Sequence, residues 1–364
     1  MRRLRRQMLL LTAILVMIGI VMIYSTSAIY ARETYGDAAF FLKRHLVYLG
    51  IGIGLSLWVL GLDPQKIRQG IKPFLALSLL LLMLVLVPGI GHKVSGATRW
   101  FRIGGLGVQP SEVAQLSVIM YLADVLTRKR GQLENFLQGV LPPLLILGLA
   151  LVLILMEPDL GTAVALAVVA LLLFFIAGVR SKVLLPLLLS AVPLLVGLIA
   201  MKPYRVRRIL AYLNPWADPE GAGFQLIQSL VALGSGGLFG LGLGESRQKL
   251  FYLPAAHTDF IFSVIGEELG FVGALLIVIL LGFLFWTGIR LALQAPDGFG
   301  VFTGLGITML MALEALVHIG VTTGAIPTKG LPLPFISYGG TVLVVNLVSM
   351  AVLLNVTRPK QAAA

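Results

Sequence analysis

The acidic residue with the most informative surroundings is Asp259, which ends the run Leu253 to Asp259 and opens an apolar stretch. In a helix that begins there, spacings of 4, 7 and 11 residues put Ser263, Gly266 and Gly270 on the face that carries Asp259. One interpretation is structural, with the carboxylate capping a helix whose glycines permit close packing. The other is a carboxylate at the edge of a membrane, beside a polar groove. We favour the second, because ionisable groups at membrane depth are usually functional.

Two further acidic motifs stand where apolar runs begin. Asp159 lies in the tight turn from Glu157 to Thr162. It is well placed to cap the following helix, and the alternative is that it belongs to a functional site. Glu112 follows Pro110, and this order suits the first turn of a helix, where a carboxylate is favoured. Either residue is therefore a candidate for a site or for a helix start.

Basic residues concentrate in the polar stretch from Lys202 to Asp259, which holds six of them. They are a solvated loop near anionic headgroups or a binding site for a phosphorylated lipid. Arg102 and Lys329 are further candidates to pair with a phosphate, while Trp100 suits the interfacial anchoring that tryptophan commonly provides. The six residues are Lys202, Arg205, Arg207, Arg208, Arg247 and Lys249.

Two polar features interrupt the apolar sequence near the C-terminus. Glu314 and His318 are four residues apart, so they can meet on one helix face, most simply as a buried structural pair. The segment from Ile326 to Gly340 contains three prolines and predicts a re-entrant stretch of irregular backbone.

Several classes of chemistry are excluded. The chain has no cysteine, and its four histidines do not have the spacing of metal ligands, so thiolate chemistry is excluded and a zinc or haem site is not expected. Gly234 to Gly244 lacks the phosphate-binding loop pattern, so we reject nucleotide binding. The net charge of +12 indicates phosphate-bearing membrane lipids as partners, rather than nucleic acid.

The elements that position these residues are membrane helices. The 364 residues are 58% hydrophobic and 12% charged, with a mean hydropathy of +0.97, which defines an integral membrane protein. Arg2 to Arg6 precede a run long enough for an uncleaved first helix. The ten predicted spans lie near 8–28, 46–62, 73–88, 111–127, 137–156, 161–177, 183–201, 260–289, 301–323 and 335–356.

The distribution of positive charge predicts the topology. With both termini in the cytoplasm, cytoplasmic segments hold 15 of the 28 Lys and Arg residues, a ratio of 15 to 7 once the long loop is left out. The expected architecture is an all-α, single polytopic membrane domain over 1–364. Its one large extracytoplasmic loop, 202–259, lies between the seventh and eighth helices.

In their order along the chain, these motifs resemble the SEDS family (shape, elongation, division and sporulation proteins), most closely its RodA branch. The resemblance covers nearly the whole sequence and is the combination of many short matches. They are Gly96 to Trp100, Gln109 to Glu112, Glu157 to Thr162, Gly221 to Gln225, His257 to Phe262, Gly266 to Gly270 and Pro327 to Gly340.

The resemblance implies a peptidoglycan glycosyltransferase that polymerises lipid II at the outer face of the bacterial inner membrane during cell elongation. Its expected partner is a class B penicillin-binding protein, the transpeptidase that crosslinks the product. The resemblance makes Asp259 the essential acidic residue. The substrate-binding residues that we predict are Trp100, Arg102, Glu112, Gln115, Asp159, Arg205, Arg208, His257, Lys329 and Ser337.

The chain departs from the family pattern at two positions. Ala255 stands where members commonly have an acidic residue, and Gln115 stands where a lysine is common. Both changes alter the charge expected at the site and leave open whether this chain is fully active. Alternatives to an active polymerase are a lipid II flippase or transporter and a non-catalytic activator of the penicillin-binding protein.

A mechanism follows from these residues as a hypothesis. Asp259 takes a proton from a sugar hydroxyl of one lipid II as this hydroxyl attacks the anomeric carbon of another, with inversion. The departing diphosphate needs positive charge, for which Arg102, Arg205, Arg208 and Lys329 are candidates. A divalent cation, Mg or Mn, bridging carboxylate and diphosphate is possible chemistry for oxygen ligands.

Overall fold

The protein is a bundle of apolar helices, with small polar elements at the ends of the bundle. We describe it from a computed structural model that covers residues 1–94, 97–250 and 252–359. It is 73% helical, with thirteen α-helices in the described part. These are α1 (Arg2–Tyr35), α2 (Phe40–Gly61), α3 (Pro64–Gln69), α4 (Ile71–Val85), α5 (Pro110–Arg128), α6 (Leu141–Met156), α7 (Leu160–Ile176), α8 (Ser181–Ala200), α9 (Pro203–Leu213), α10 (Phe224–Ser235), α11 (Ile261–Leu293), α12 (Gly298–Thr322) and α13 (Gly340–Val356).

Each of the ten predicted spans coincides with one of these helices, and the chain is a multi-pass membrane protein. Six of the described helices are long and apolar enough to cross a membrane by length and composition. The last helix begins at Gly340, five residues later than the predicted start at 335, because Phe335 has φ of 66° and cannot continue a right-handed helix. That ten helices cross the bilayer stays a prediction.

A small antiparallel sheet between α4 and α5 is absent from the sequence-based prediction. Its strands are β1 (His92–Val94), β2 (Ala97–Ile103) and β3 (Leu106–Val108), in the order β1-β2-β3. Gly104 and Gly105 link β2 to β3 with φ of 57° and 80°, as the tightest hairpin turn requires. Gly96, the first residue of the motif that ends at Trp100, lies outside the described residues. The sheet carries Arg99 to the turn that precedes α7.

The long loop is not an irregular segment, because α9 and α10 lie within it. Helix α10 packs on the small-residue face of α11: Ser229 Oγ lies 2.5 Å from Ser263 Oγ. A Cβ on Gly266 would lie 2.5 Å from Leu233 Cδ2, so glycine permits this contact. Protein therefore fills this face: the interpretation that the glycines permit close packing is confirmed, and the favoured interpretation, in which the face borders a polar groove, is wrong.

A buried ion pair fixes the end of the loop to the bundle. Lys249 Nζ lies 2.8 Å from Glu268 Oε1, and both side chains are almost fully buried. Ser25 of α1 donates to both carboxylate oxygens of Glu268 at 2.7 Å. Lys249 is thus a structural residue, and neither alternative for the six basic residues, a solvated loop or a site for a phosphorylated lipid, holds for it.

Candidate functional site

Asp259 occupies a turn immediately before α11 and does not cap that helix. The N-cap is Phe260, with no side-chain cap bond, so the structural interpretation of Asp259 as a cap is wrong. The backbone N–H of Asp259 donates to Ala255 O at 3.1 Å, which closes the turn. A Cβ on Gly330 would lie 2.7 Å from the Asp259 Cγ, so the carboxylate rests against the backbone of Gly330. Asp259 is partly exposed, which suits a group that meets a substrate.

The irregular segment from Ile326 to Gly339 holds this turn in place. Ser337 Oγ donates to Thr258 O at 2.7 Å, and the Tyr338 N–H donates to His257 O at 2.9 Å. From the other side, His318 Nδ1 lies 2.7 Å from Leu331 O. Because the segment touches the residues just before Asp259, it positions the carboxylate. The predicted irregular backbone is confirmed.

Lys329 projects from this segment toward the start of α7. Its Nζ lies 3.5 Å from Asp159 Oδ1, and its side chain crosses Gly161, where a Cβ would overlap the ammonium group. Asp159 also caps α7, since its Oδ1 accepts from the Thr162 N–H at 3.3 Å. The two interpretations of Asp159, cap and site residue, are therefore compatible.

Arg99 of β2 joins the sheet to the turn that contains Asp159. Its Nε donates to Glu157 O at 2.7 Å and its Nη2 to Pro158 O at 2.6 Å. Its Nη1 lies 3.8 Å from Asp159 Oδ2. Pro158 has φ of 34°, far from the value its ring prefers, so this turn is held in a strained conformation.

Arg208 of α9 completes the group. Its Nη1 donates to Thr328 O at 3.3 Å, next to Lys329 in the chain. We name Arg99, Asp159, Arg208, Asp259 and Lys329 the charged cluster. Its members come from β2, the α7 cap, α9, the turn before α11 and the irregular segment, so distant parts of the sequence meet at one point.

The charged cluster sets the protonation of its two aspartates differently. Burial raises the pKa of Asp259 above its usual value, and Arg208, Lys329 and Arg99 offset only part of this effect. Burial also acts to raise the pKa of Asp159, but Lys329, Arg99 and the bonds to Thr162 outweigh it, and that pKa is lowered. Asp259 is thus the stronger base of the two.

Glu157 is a third carboxyl group beside the cluster. Its side chain is fully buried and its two oxygens have no hydrogen-bond partner within the described part of the chain. Burial and then Asp159 raise the pKa of Glu157 to about 9, although Arg99 opposes them. Glu157 is therefore protonated at neutral pH and adds no negative charge.

Three of the predicted substrate-binding residues lie at the margin of the cluster. His257 packs among aromatic rings, with its ring centroid 4.5 Å from that of Phe41, and burial lowers its pKa to about 4. Gln115 Nε2 donates to Thr162 O at 3.4 Å, within the first turn of α7. Glu112 is buried in the helix bundle and, with Glu314, lines a small cavity between α5, α12 and α13.

Three others are held elsewhere. Arg205 is buried and donates to Leu198 O at 2.6 Å, which joins α9 to α8. Arg102 is exposed on β2, with its Nη1 3.5 Å from His92 Nε2. Trp100 covers Gly107 across the sheet. The described contacts of these three residues do not include the charged cluster, and their binding role stays a prediction.

The residues that the sequence-based list omits are Arg99, Glu157, Gly161 and Gly330. All four belong to the motifs that resemble the SEDS family, but the sequence of a motif does not show which of its residues faces the site. The alternation of β2 would have separated Arg99 from its neighbours had the strand been recognised.

The chain is similar to known proteins of one family over almost its whole length. Residues 5–362 match the family of cell cycle proteins FtsW, RodA and SpoVE. Stage V sporulation protein E of Bacillus subtilis is 44% identical over 351 residues, covering 96% of both chains. A probable peptidoglycan glycosyltransferase FtsW of Trichlorobacter lovleyi is 46% identical over 350 residues, covering 96% of this chain and 92% of the relative.

Solved structures agree with the fold. A chain of a peptidoglycan synthase complex, studied for the coordination of polymerization and crosslinking, superposes with a TM-score of 0.79 at 32% identity over 96% of each chain. The rod shape determining protein RodA of Thermus thermophilus superposes with a TM-score of 0.71 at 30% identity, covering 96% of this chain and 95% of that one.

The fold and the charged cluster together define a polytopic membrane protein with a polar site at one end of its helix bundle. Within that class, the chain belongs to the SEDS family, which includes FtsW, RodA and SpoVE. The predicted family is confirmed. The RodA branch stays a prediction: one of the two similar structures is a RodA protein, whereas the two relatives given above, both with more than 40% sequence identity, are named SpoVE and FtsW.

Proposed function

We propose that this chain is a peptidoglycan glycosyltransferase that joins lipid II units into glycan strands. The observation that carries the proposal is the charged cluster, where a partly exposed carboxylate of raised pKa stands among three cations. A glycosyl transfer with a diphosphate leaving group needs a base for the attacking hydroxyl and positive charge for the leaving group. Relatives named as probable peptidoglycan glycosyltransferases support the same activity.

Asp259 is the base in this reaction. It accepts the proton of the acceptor sugar hydroxyl as the oxygen forms a bond to the anomeric carbon of the donor. The bond from that carbon to the diphosphate oxygen breaks, its electron pair stays on the diphosphate, and the anomeric configuration inverts. A raised pKa improves Asp259 as a base, because proton transfer is most efficient when the pKa lies near the working pH.

Lys329 and Arg208 stabilise the leaving diphosphate. Both lie beside Asp259, and charge-assisted bonds from Lys or Arg to phosphate are about twice as strong as neutral ones. Asp159 orients Lys329 from the far side of Gly161. The protein thus prepares its positive charges before substrate arrives, which is the usual source of electrostatic catalysis.

A divalent cation fits this arrangement only with the help of substrate. Within the described residues, no three or more His, Asp or Glu side chains gather as ligands, so Asp259 would be the protein ligand and phosphate oxygens would supply others. Such a cation would add positive charge to the leaving diphosphate. The roles of Asp259, Lys329 and Arg208 described above do not depend on it.

The setting of the reaction is part of the proposal. We place the charged cluster at the outer face of the bacterial inner membrane, with both termini in the cytoplasm, because this orientation follows the positive-inside distribution. A class B penicillin-binding protein is the proposed partner, supported by the likeness to a chain of a peptidoglycan synthase complex.

The shape of cells that lack the protein distinguishes two cellular roles, elongation and division. The predicted RodA branch implies cell elongation, whereas the FtsW-named relatives favour division. Depletion of the protein should give round cells if it serves elongation and filaments if it serves division. The shape of depleted cells therefore assigns the branch without assuming anything about the catalytic residues.

A transporter for lipid II is the second candidate function. Polar side chains buried between α5, α12 and α13, including Glu112, Glu314 and Asn346, favour it because such groups mark transport pathways. Purified protein given labelled lipid II, with and without the partner, tests both functions. New glycan chains support the polymerase, whereas translocation across vesicles without any new glycosidic bond supports the transporter.

A further inference from the structure

A groove lies at the end of α11 opposite to the charged cluster. It separates the first turns of α1 from the last turns of α11 and encloses about 590 Å³, within the range of ligand pockets. Helix α11 is interrupted at Gly270, and its continuous part from Phe271 to Trp286 rises about 22 Å at 1.5 Å per residue, so the groove lies at the far end of α11 from the turn that carries Asp259. The lining residues are Arg3, Leu4, Gln7, Leu10, Leu11, Phe283, Trp286, Thr287 and Arg290.

The lining divides into a polar end and an apolar end. Arg3 and Arg290 stand at the helix termini, while Leu10 and Phe283 lie two turns deeper along their helices and are more than half exposed. Among the described residues that line the groove, none is acidic. This order matches a phospholipid, whose phosphate lies at the membrane surface and whose acyl chains run inward.

The two arginines are available to a ligand. Arg68 and Arg180 have carboxylate partners at 2.7 Å, whereas Arg3 and Arg290 have no ion pair within the described residues. The Arg290 guanidinium lies 4.8 Å from the centroid of the Trp286 ring, which holds it over the groove. Two unpaired guanidinium groups flanking one groove form a fork-like site for a phosphodiester.

We propose that this groove binds an anionic phospholipid, with its phosphodiester between Arg3 and Arg290 and its acyl chains along Leu10 and Phe283. A zwitterionic lipid fits the shape but gains less, because its own positive group opposes the arginines. Basic pockets between membrane helices are known to select anionic headgroups. The binding is independent of the polymerase activity, since the groove and the charged cluster lie at opposite ends of α11.

Native mass spectrometry of the purified full chain tests the proposal. With equal amounts of phosphatidylglycerol and phosphatidylcholine, the wild type should retain the anionic lipid preferentially. Each arginine near such a surface contributes roughly a fivefold effect, so Arg3→Gln with Arg290→Gln should lower retention by roughly 25-fold. The matched control is Arg130→Gln with Lys182→Gln, which removes the same charge from exposed positions outside the groove.

A second measurement locates the lipid and does not depend on the double variant. Phosphatidylglycerol with brominated acyl chains should quench the Trp286 fluorescence, obtained as the difference between wild type and Trp286→Phe. Equal retention of the two lipids, an equal loss in the control, or unquenched Trp286 overturns the proposal. So does displacement of the lipid by inorganic phosphate, or capture of a protein helix by a photocrosslinker at Leu10.

Discussion

Lys329 lies directly across Gly161 in the first turn of α7, and this contact leaves no room for a side chain at position 161. Gly161→Ala should therefore displace the ammonium group from Asp159 and lower polymerisation at least tenfold, since loss of one preorganised charge stabiliser costs about 10²–10³ in rate. The free energy of unfolding should not fall, because alanine is favoured over glycine in helices by about 1 kcal/mol.

The matched control for this change is Gly148→Ala in α6. A Cβ at Gly148 meets nothing within 4 Å, so neither activity nor stability should fall. Glycan synthesis from lipid II and thermal unfolding of both variants are the measurements. Full activity of Gly161→Ala would show that the position of Lys329 does not matter to the reaction.

Asp259→Asn should reduce glycan synthesis by about 100- to 10,000-fold, the range that general base catalysis contributes. The amide keeps the shape of the side chain against Gly330, so thermal stability should change little. Asp37→Asn is the control, because Asp37 is partly exposed and pairs with Lys43 away from the cluster. Near-normal activity of purified Asp259→Asn protein would remove this residue from the role of base.

The pH dependence of polymerisation should report Asp259. Below its pKa the carboxyl group is protonated and cannot accept a proton, so activity should fall with decreasing pH, beginning above the range usual for aspartate. Arg208 favours the charged carboxylate, so Arg208→Gln should raise the pKa further and move this fall to higher pH.

The control for Arg208→Gln is Arg207→Gln, which removes the same charge from the same helix at an exposed position. Because neighbouring residues of a helix point about 100° apart, Arg207 should leave the pH profile unchanged. An identical shift from both variants would mean that the general charge of α9, rather than Arg208 itself, acts on the carboxylate.

Asp159 has two roles that different substitutions can separate. Asn also caps helices, so Asp159→Asn should keep the bond to the Thr162 N–H while losing the charge that holds Lys329. Asp159→Ala should lose both, and should lower the free energy of unfolding by about 0.5–2 kcal/mol in addition. We therefore expect activity measurements to show a comparable loss in both variants. Unfolding measurements should show a loss of stability only in Asp159→Ala.

Ala255 shapes the turn that carries Asp259, with φ of 57° and a carbonyl that accepts from the Asp259 N–H. Ala255→Glu should raise glycan synthesis if the missing acidic group acts through its charge, and Ala255→Gln, of equal size, should not. Ala255→Gly should stabilise the turn, since a left-handed conformation costs a residue with a side chain about 1–2 kcal/mol. No difference between Glu and Gln would make position 255 peripheral.

The helices were predictable because each apolar run is long and is bounded by charge or by Pro and Gly. The cap role of Asp159 followed from local rules as well. The charged cluster did not, because Arg99 reaches Asp159 only through a short sheet whose polar residues gave no strand signal. The choice between a groove and close packing at the glycine face of α11 could not be made from one sequence, because the sequence does not reveal that α10 covers this face.

Gly330 supports Asp259, while its neighbour Lys329 reaches Asp159. Two adjacent positions in one segment therefore set the distance between the carboxylate that accepts the proton and the ammonium group that stabilises the diphosphate. The number of residues between α12 and α13 therefore determines where these two groups stand relative to each other. We expect a single insertion or deletion in this stretch to put both groups out of register at once.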